Sequence, residues 1–424
     1  MDLERLDRDV AAAVADSHDE ATIDWEVHRH VAGQRTLRAL ENESASPLRD
    51  ALVASVTFLT ALRVSHPAAK RALEARTHAR VVVRDVEVDW QTIVHGMLAA
   101  RSRDEAKVYF DAWPKLADAL QGNAAAAQEI RQEAFHRLGI DDVPQHFLGV
   151  AHRDLVSSAE QLLASTTDLA RACTERPSGD PRWPLDLDLR LGRQATQGAW
   201  PSRLTWRTAA ALLPGLLSAE GAHTDVGPRV AATVCPRAYG AVSFARALFA
   251  IGTAFRHAMS PASTPFVIRQ PPLFSDGHRT GYLFAAIVGE PAFQRRVLQL
   301  AAGPARDQAR TLRVAFLLHA RALAVRVALG KRGADFEALT DAAFGAPLPK
   351  PFRQVWPVAS DEDAARFVAL LTVTERIDAL RDREGDDWFR NPRAFAVLGD
   401  LVQTAVKSPA LGIALGKRFE ELLD

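Results

Sequence analysis

Cysteine is scarce in this chain, and its spacing excludes a disulfide framework. The 424 residues contain two cysteines, Cys173 and Cys235, which form no CxxC pair. A structural zinc site built from cysteine pairs is therefore not expected. The sequence also lacks an uninterrupted apolar run of about 18 residues, so no membrane span is expected. Its charged start, MDLERLDRD, lacks the apolar stretch of a signal peptide. These absences predict a cytoplasmic protein.

The chain has no surplus of charge of either sign. Lysine and arginine together number 52, and aspartate and glutamate together also number 52. A general nucleic-acid binder or a protein of anionic membranes needs a basic surplus, so we expect neither partner. The hydrophobic fraction of 48% is enough for a large core.

Short catalytic motifs are missing as well. The sequence contains no GxSxG, no GxxxxGK[ST] and no GxGxxG. Among its 13 histidines, none forms a His-x-x-x-His pair, the commonest helical zinc spacing. Two alternatives stay open: a hydrolase or transferase that uses Cys235 as a nucleophile, or one that assembles its site from scattered histidines.

Amphipathic helical patterns fill most of the chain. Apolar residues recur at helical spacing in 48–64, ahead of Pro67, and the pattern continues in 102–138 and 153–173. The short run VVVRDVEV (81–88) is typical either of one strand or of a helix entry.

Three prolines and a glycine interrupt the pattern at TERPSGDPRWPLD (174–186), which no helix can cross. We therefore divide the chain into an N-terminal helical domain, 1–180, and a second domain, 181–424.

The second domain contains the best strand candidate, RVAATVC (229–235), which lies between two prolines. Helices are predicted at 247–259, 281–302, 305–330 and 361–384, and a last helix is predicted from about residue 393.

The order of features from 226 to 302 resembles the thimet oligopeptidase and oligoendopeptidase family of zinc peptidases. PRAYG (236–240) stands where family members often carry Pro-Arg-x-x-Gly before the metal-binding helix. The helix LFAIGTAFRHAM then matches the family frame at Gly252 and Ala254. HRTGYLFAA matches the later ligand segment at Gly281 and Tyr282.

The resemblance implies a mainly α, gluzincin-type or oligopeptidase-like helical fold. It also implies a small β element beside the former metal helix, and a central channel. Phe249 and Thr253 occupy the slots of the two histidine ligands, and Thr280 occupies the slot of the glutamate ligand. Ala250 replaces the glutamate that acts as general base. We therefore expect no zinc, no other cofactor and no hydrolysis.

A peptidase frame without its metal retains a place for an extended peptide. The expected peptide-binding residues lie on the strand candidate and on the two helices that follow it. They are Ala231, Ala232, Thr233, Val234, Phe249, His257 and Tyr282. The expected function is binding of a peptide, or of a precursor peptide, by strand addition.

The resemblance implies that the protein is an accessory protein in modified-peptide biosynthesis of the crocagin type. Pathway enzymes are then expected as further partners. An interaction scaffold that acts through its outer surface is the remaining alternative.

Overall fold

The computed structural model describes residues 24–100, 102–118, 120, 122–174, 241–258, 263–269, 271–273, 275–331, 333–355, 361–401 and 411–423. Within these ranges the protein is mainly helical, and its only sheet has two strands. The expected mainly α, oligopeptidase-like fold is confirmed.

The N-terminal part consists of eight described helices and one hairpin. In chain order they are α1 (Gln34–Glu41), α2 (Pro47–His78), β1 (Val81–Val83), β2 (Val86–Val88), α3 (Trp90–Ala99), α4 (Arg103–Asp118), α5 (Asn123–Arg137), α6 (Val143–Leu148), α7 (His152–Ser165) and α8 (Thr167–Thr174). The long helix α2 begins with a proline in its first turn, and Ser46 caps it by accepting a hydrogen bond from the Arg49 amide.

The C-terminal part has ten described helices. They are α9 (Ala241–Ala258), α10 (Phe266–Arg269), α11 (Ser275–Ala286), α12 (Pro291–Arg296), α13 (Ala302–Ala328), α14 (Phe336–Phe344), α15 (Phe352–Val355), α16 (Asp361–Glu384), α17 (Pro392–Leu401) and α18 (Leu411–Leu423). Short 3₁₀ turns follow α11 at Ile287–Gly289 and precede α17 at Trp388–Arg390.

The run VVVRDVEV forms a hairpin, so the expectation of one strand or a helix entry is wrong. Val81 pairs with Val88 and Val83 with Val86 in an antiparallel register. Arg84 and Asp85 both have positive φ, 50° and 64°, as a two-residue hairpin turn requires.

Two predicted helix boundaries are also wrong. The helix predicted at 48–64 continues through Pro67 as far as His78. The helix predicted at 281–302 is instead broken, since α11 ends at Ala286 and α12 begins at Pro291. Proline disfavours helical backbone at the residue before it, and Glu290 is extended there, with φ −86° and ψ 126°.

The main hydrophobic core draws residues from both parts of the chain. Leu162 and Phe110 from the N-terminal part belong to the same buried cluster as Phe284 and Trp388 from the C-terminal part. The predicted domain boundary falls at 174–186, of which 175–186 lie outside the described residues. The division into 1–180 and 181–424 stays a prediction.

Arg321 on α13 ties the two parts together below the surface. It is fully buried, and it donates to the carbonyl of Leu163 at 2.9 Å and to the hydroxyl of Thr166. It also donates to the carbonyls of Ala342 at 2.5 Å and Ala343 at 3.0 Å. One guanidinium therefore connects α7 with α13 and α14.

One described helix, α2, is long and apolar enough to cross a membrane by length and composition. Its most apolar 18-residue window is 44% buried inside the protein, and its Ala61 packs with Phe135 of α5. A core helix passes the same test, so this feature is weak evidence for a membrane span.

Candidate functional site

Helices α9 and α11 cross in close contact, and two glycines permit it. A methyl group on Gly252 would lie 2.5 Å from the carbonyl oxygen of Thr280 and 3.0 Å from the Cα of Gly281. A methyl group on Gly281 would lie 2.8 Å from Oγ1 of Thr253 and 2.9 Å from the ring of Phe249. The crossing thus brings the segment around Phe249 and Thr253 against the segment around Thr280.

The two threonines at this crossing use their hydroxyls within their own helices. Thr253 donates to the carbonyl of Phe249 at 3.0 Å, and Thr280 donates to the carbonyl of Asp276 at 3.1 Å. Thr280 is buried, and Ala250 packs at the edge of the main core.

The side chain of Phe249 packs against two residues of α11. Its ring stacks on the imidazole of His278, with centroids 5.8 Å apart and planes 18° apart. The edge-to-face contact with Tyr282 has a centroid distance of 4.9 Å. His278 and Tyr282 are four residues apart, so they share a face of α11.

Polar groups from three helices meet beside this aromatic contact. The hydroxyl of Tyr282 lies 3.2 Å from Nε2 of His319 on α13. On α16, Arg366 donates to Glu362 at 2.6 Å, and Oε1 of Glu362 lies 3.9 Å from Nε2 of His278. We call His278, Tyr282, His319, Glu362 and Arg366 the polar cluster.

Burial dominates the protonation of the two histidines. It lowers the pKa of His278 from 6.5 to about 4, although the neighbouring Glu362 raises it in part. Burial also lowers the pKa of His319 to about 4, and Arg366 adds to that effect. Both rings are therefore neutral at pH 7, and each offers one donor and one acceptor.

The charged and phenolic groups of the polar cluster are also shifted by their surroundings. Arg366 lowers the pKa of Glu362, and Glu362 in turn raises the pKa of Arg366, so both groups stay ionised. Burial raises the pKa of Tyr282, which keeps its hydroxyl protonated.

Several of these groups lie deep in the protein and yet have accessible surface. The side chains of Glu362 and Arg366 are 49% and 40% accessible, although protein atoms surround both. His319 is likewise exposed while it is closely surrounded by protein. Water therefore reaches part of the polar cluster. His278 is more enclosed, with a side chain 13% accessible.

Two buried atoms of the polar cluster have no hydrogen-bond partner, namely Nε of Arg366 and Nδ1 of His278. The His278 nitrogen belongs to the ring that stacks on Phe249. An unmet buried polar group costs about 1–3 kcal/mol. This nitrogen is therefore available to a ligand group beside the Phe249 ring.

The residues at the positions that the resemblance assigns to metal ligands do not fit zinc. Zinc takes imidazole, thiolate or carboxylate ligands, whereas Phe249 offers a ring that is already stacked, and Thr253 and Thr280 offer hydroxyls that bond to their own helices. In the part of the chain that the structure describes, no group of three His, Cys, Asp or Glu residues has the arrangement of a metal site.

Other predicted site residues lie beyond the described parts of the structure. Ala231, Ala232, Thr233, Val234 and Cys235 fall within 175–240, which is outside the described residues. His257 belongs to α9, but its side chain is also outside the described part.

Sequence reasoning missed His278, His319, Glu362 and Arg366 as members of one cluster. The spacing of His278 and Tyr282, and that of Glu362 and Arg366, is four residues in both cases. Each pair therefore shares a helix face. The four-residue spacing indicates that each pair lies on one face of its helix. It does not show that α11, α13 and α16 pack together.

Comparison with known proteins supports the fold but does not assign the chain to a family. No family model matches the chain, and no curated protein matches it. Among solved structures, the crystal structure of a candidate oligoendopeptidase F from Bacillus anthracis str. Ames is similar to the structure of this chain. The TM-score is 0.54 at 10% sequence identity, over 98% of this chain and 84% of that one. The chain has an oligoendopeptidase-like fold. At this identity the likeness concerns the fold alone.

Proposed function

We propose that the protein binds a peptide in an extended conformation and does not hydrolyse it. The proposed role is that of an accessory or presenting protein in modified-peptide biosynthesis. The oligoendopeptidase-like fold supports a peptide as the ligand. The side chains at the former metal and base slots support the loss of hydrolysis, because none of them can hold zinc or deprotonate a water molecule.

One observation carries this proposal most directly, namely the placement of Phe249. The resemblance assigns its position to a metal ligand, yet its ring stacks on His278 and contacts Tyr282. The ring presents apolar surface beside neutral hydrogen-bonding groups. Such a mixture suits a peptide, which combines apolar side chains with uncharged amides.

The proposed binding mode uses two kinds of contact. The segment Ala231–Val234 adds the peptide as a strand through main-chain hydrogen bonds. The unpartnered Nδ1 of His278 bonds a backbone or side-chain group of the peptide, and Phe249 covers an apolar side chain next to it.

The test begins with a search for a gene beside that of this chain that encodes a short precursor peptide, and continues with calorimetric titration of the full chain with that peptide. We expect binding at about micromolar strength, roughly −8 kcal/mol, with the peptide recovered intact by mass spectrometry. Failure to bind this peptide, or cleavage that a chelator abolishes, would contradict the proposal.

A second candidate function follows from the polar cluster, in which two histidines lie near a tyrosine and a glutamate. A hydrolase or transferase could use His278 or His319 as a general base. A general base works best with a pKa near the operating pH, whereas both histidines have pKa values of about 4. The cluster therefore favours binding. A rate that rises with pH through about 4 and disappears in His319→Gln would favour the enzyme instead.

A further inference from the structure

Three arginines lie near one another where α11 packs against both α9 and α16. They are Arg256, Arg279 and Arg376, one from each helix. Arg279 and Arg376 are buried, with 4% and 7% of their surface exposed. Burial in low-dielectric surroundings makes uncompensated charge expensive, so such residues require anionic partners.

Two described carboxylates act on Arg279, and one of them also acts on Arg376. Asp276 pairs with Arg279 at 2.9 Å, and Glu375 also acts on Arg279. The pKa of Arg376 falls to about 10, chiefly through burial and then through Arg279 beside it, while Asp276 opposes that effect. Arg376 is thus still protonated at pH 7.

Arg376 has an unsatisfied hydrogen-bond donor. Its buried Nη2 atom lacks a hydrogen-bond partner, and the same holds for the buried Nε atom of Arg279. A hydrogen bond to a charged group contributes about 1.5–3 kcal/mol, and an unmet charged donor costs at least as much. Arg279 and Arg376, which are close enough for the charge of one to lower the pKa of the other, therefore each have an unsatisfied donor.

We propose that Arg376 and Arg279, with Arg256 adding positive potential, form a binding site for a carboxylate. The guanidinium group is a planar fork that matches the two oxygens of a carboxylate. A carboxylate at this position would accept the unmet hydrogen bonds of the two guanidinium groups.

The source of this carboxylate rests on the proposed function, in which it belongs to a bound peptide as a side chain or a C-terminus. Arg376 follows Arg366 of the polar cluster by ten residues on α16, which is about 15 Å along a helix axis. A ligand that contacts both arginines spans about five extended residues at roughly 3.3 Å each.

The first experiment uses glutarate as the probe and thermal unfolding of the full chain as the readout. We expect a saturable rise in Tm with glutarate relative to sodium chloride of the same ionic strength. Equal Tm values in the two salts would overturn the site. A rise with inorganic phosphate but not with glutarate would overturn the assignment to a carboxylate.

Variants of Arg376 then locate the effect. Arg376→Gln should abolish the response to glutarate. Arg376→Lys keeps the charge without the fork and covers the case in which the glutamine variant does not fold. It should raise the half-saturating glutarate concentration about tenfold, the equivalent of one charged hydrogen bond. The control is Arg383→Gln on the same helix, because the Arg383 side chain is 62% exposed. A parental response in the Arg376 variants would overturn the assignment.

Peptide binding is scored separately, so that the two proposals fail independently. An acidic precursor peptide should bind at least about tenfold more tightly than its amidated, acid-free counterpart. Equal affinities would overturn the peptide as the source of the carboxylate and leave the proposed function standing. A glutarate response in a protein that binds no peptide would overturn the proposed function and leave the carboxylate site standing.

Discussion

The ring of Phe249 lies nearly parallel to the imidazole of His278, with centroids 5.8 Å apart. This contact places an apolar surface against a neutral imidazole whose Nδ1 has no hydrogen-bond partner. It joins α9, the helix that resembles a metal-binding helix, to the polar cluster through His278 and Tyr282 of α11.

Phe249→Ala should weaken peptide binding by about tenfold or more, because it removes the apolar cover beside His278. It should also lower the free energy of unfolding by up to about 3 kcal/mol. The matched control is Phe147→Ala, a partly buried phenylalanine in a separate cluster. That variant should lose stability and keep its affinity. Calorimetric titration of both folded variants checks this, and equal affinity losses would assign the effect to general destabilisation.

Gly252→Ala should destabilise the protein by about 1–3 kcal/mol or more through overpacking. The new methyl group meets the Thr280 carbonyl at 2.5 Å, and a backbone atom cannot move aside as a flexible side chain can. Gly303→Ala is the control, because a methyl group there meets nothing within 4 Å. Urea denaturation of both variants measures the difference. A Gly252→Ala variant as stable as the control would contradict the close helix crossing.

Protonation of His278 should lower the free energy of unfolding as the pH falls. Its pKa is about 4 in the folded protein, against 6.5 for a histidine exposed to water, so the unfolded chain holds more protons between these pH values. The contribution of His278 is therefore complete above about pH 6.5. It is lost as pH falls toward 4, by at most about 1.4 kcal/mol per pH unit.

The measurement is denaturant unfolding of the parent and of His278→Gln from pH 7 to pH 4. Asp361, whose pKa burial raises to about 6, acts with the opposite sign in an overlapping window. It is present in both proteins, as is His319, so the difference between the two curves isolates His278. Parallel curves would show that His278 titrates alike in the folded and unfolded states.

The purified protein should retain no stoichiometric zinc after dialysis and should cleave no peptide in a quenched library. The reason is the chemistry of Phe249, Ala250, Thr253 and Thr280, which supply neither a metal ligand set nor a general base. Elemental analysis and fluorescence release are the measurements. About one zinc per chain, together with cleavage that a chelator stops, would contradict this prediction.

Proline substitutions in the segment Ala231–Val234 test strand addition. Proline removes one main-chain donor, and alternate residues of a strand point their N–H groups to opposite edges. One of Thr233→Pro and Val234→Pro should therefore weaken peptide binding much more than the other. Calorimetric titration of the two folded variants compares them, and parental affinity in both would place recognition in side-chain contacts elsewhere.

The sequence predicted some elements well because the signals for them are local. The helix at 361–384 has the predicted bounds, with three acidic residues in its first turn and arginines in its last. The break at Glu290–Pro291 is also a local signal, but the apolar pattern on both sides of it favoured one helix over 281–302. The hairpin at 81–88 was missed because its turn contains Arg84 and Asp85 instead of glycine.

The polar cluster could not be predicted from local pattern. His278, His319 and Glu362 lie on three helices separated by about forty residues of sequence each. Their meeting depends on how α11, α13 and α16 pack, which helical periodicity does not specify. The resemblance named Phe249 and Tyr282 as candidate peptide-binding residues, and their rings are in edge-to-face contact. Their role in binding stays a prediction.

The bonds of Arg321 have a consequence for how this fold can change over evolution. Its donors have fixed directions, and their acceptors lie at Leu163 and Thr166 on one side and at Ala342 and Ala343 on the other. Inserting one residue into α7 or α14 would rotate those acceptors by about 100° around the helix axis. Length changes in these two helices would thus break the bonds of Arg321, and an N-terminal part taken from a distant homologue would have to supply its own acceptors for this arginine.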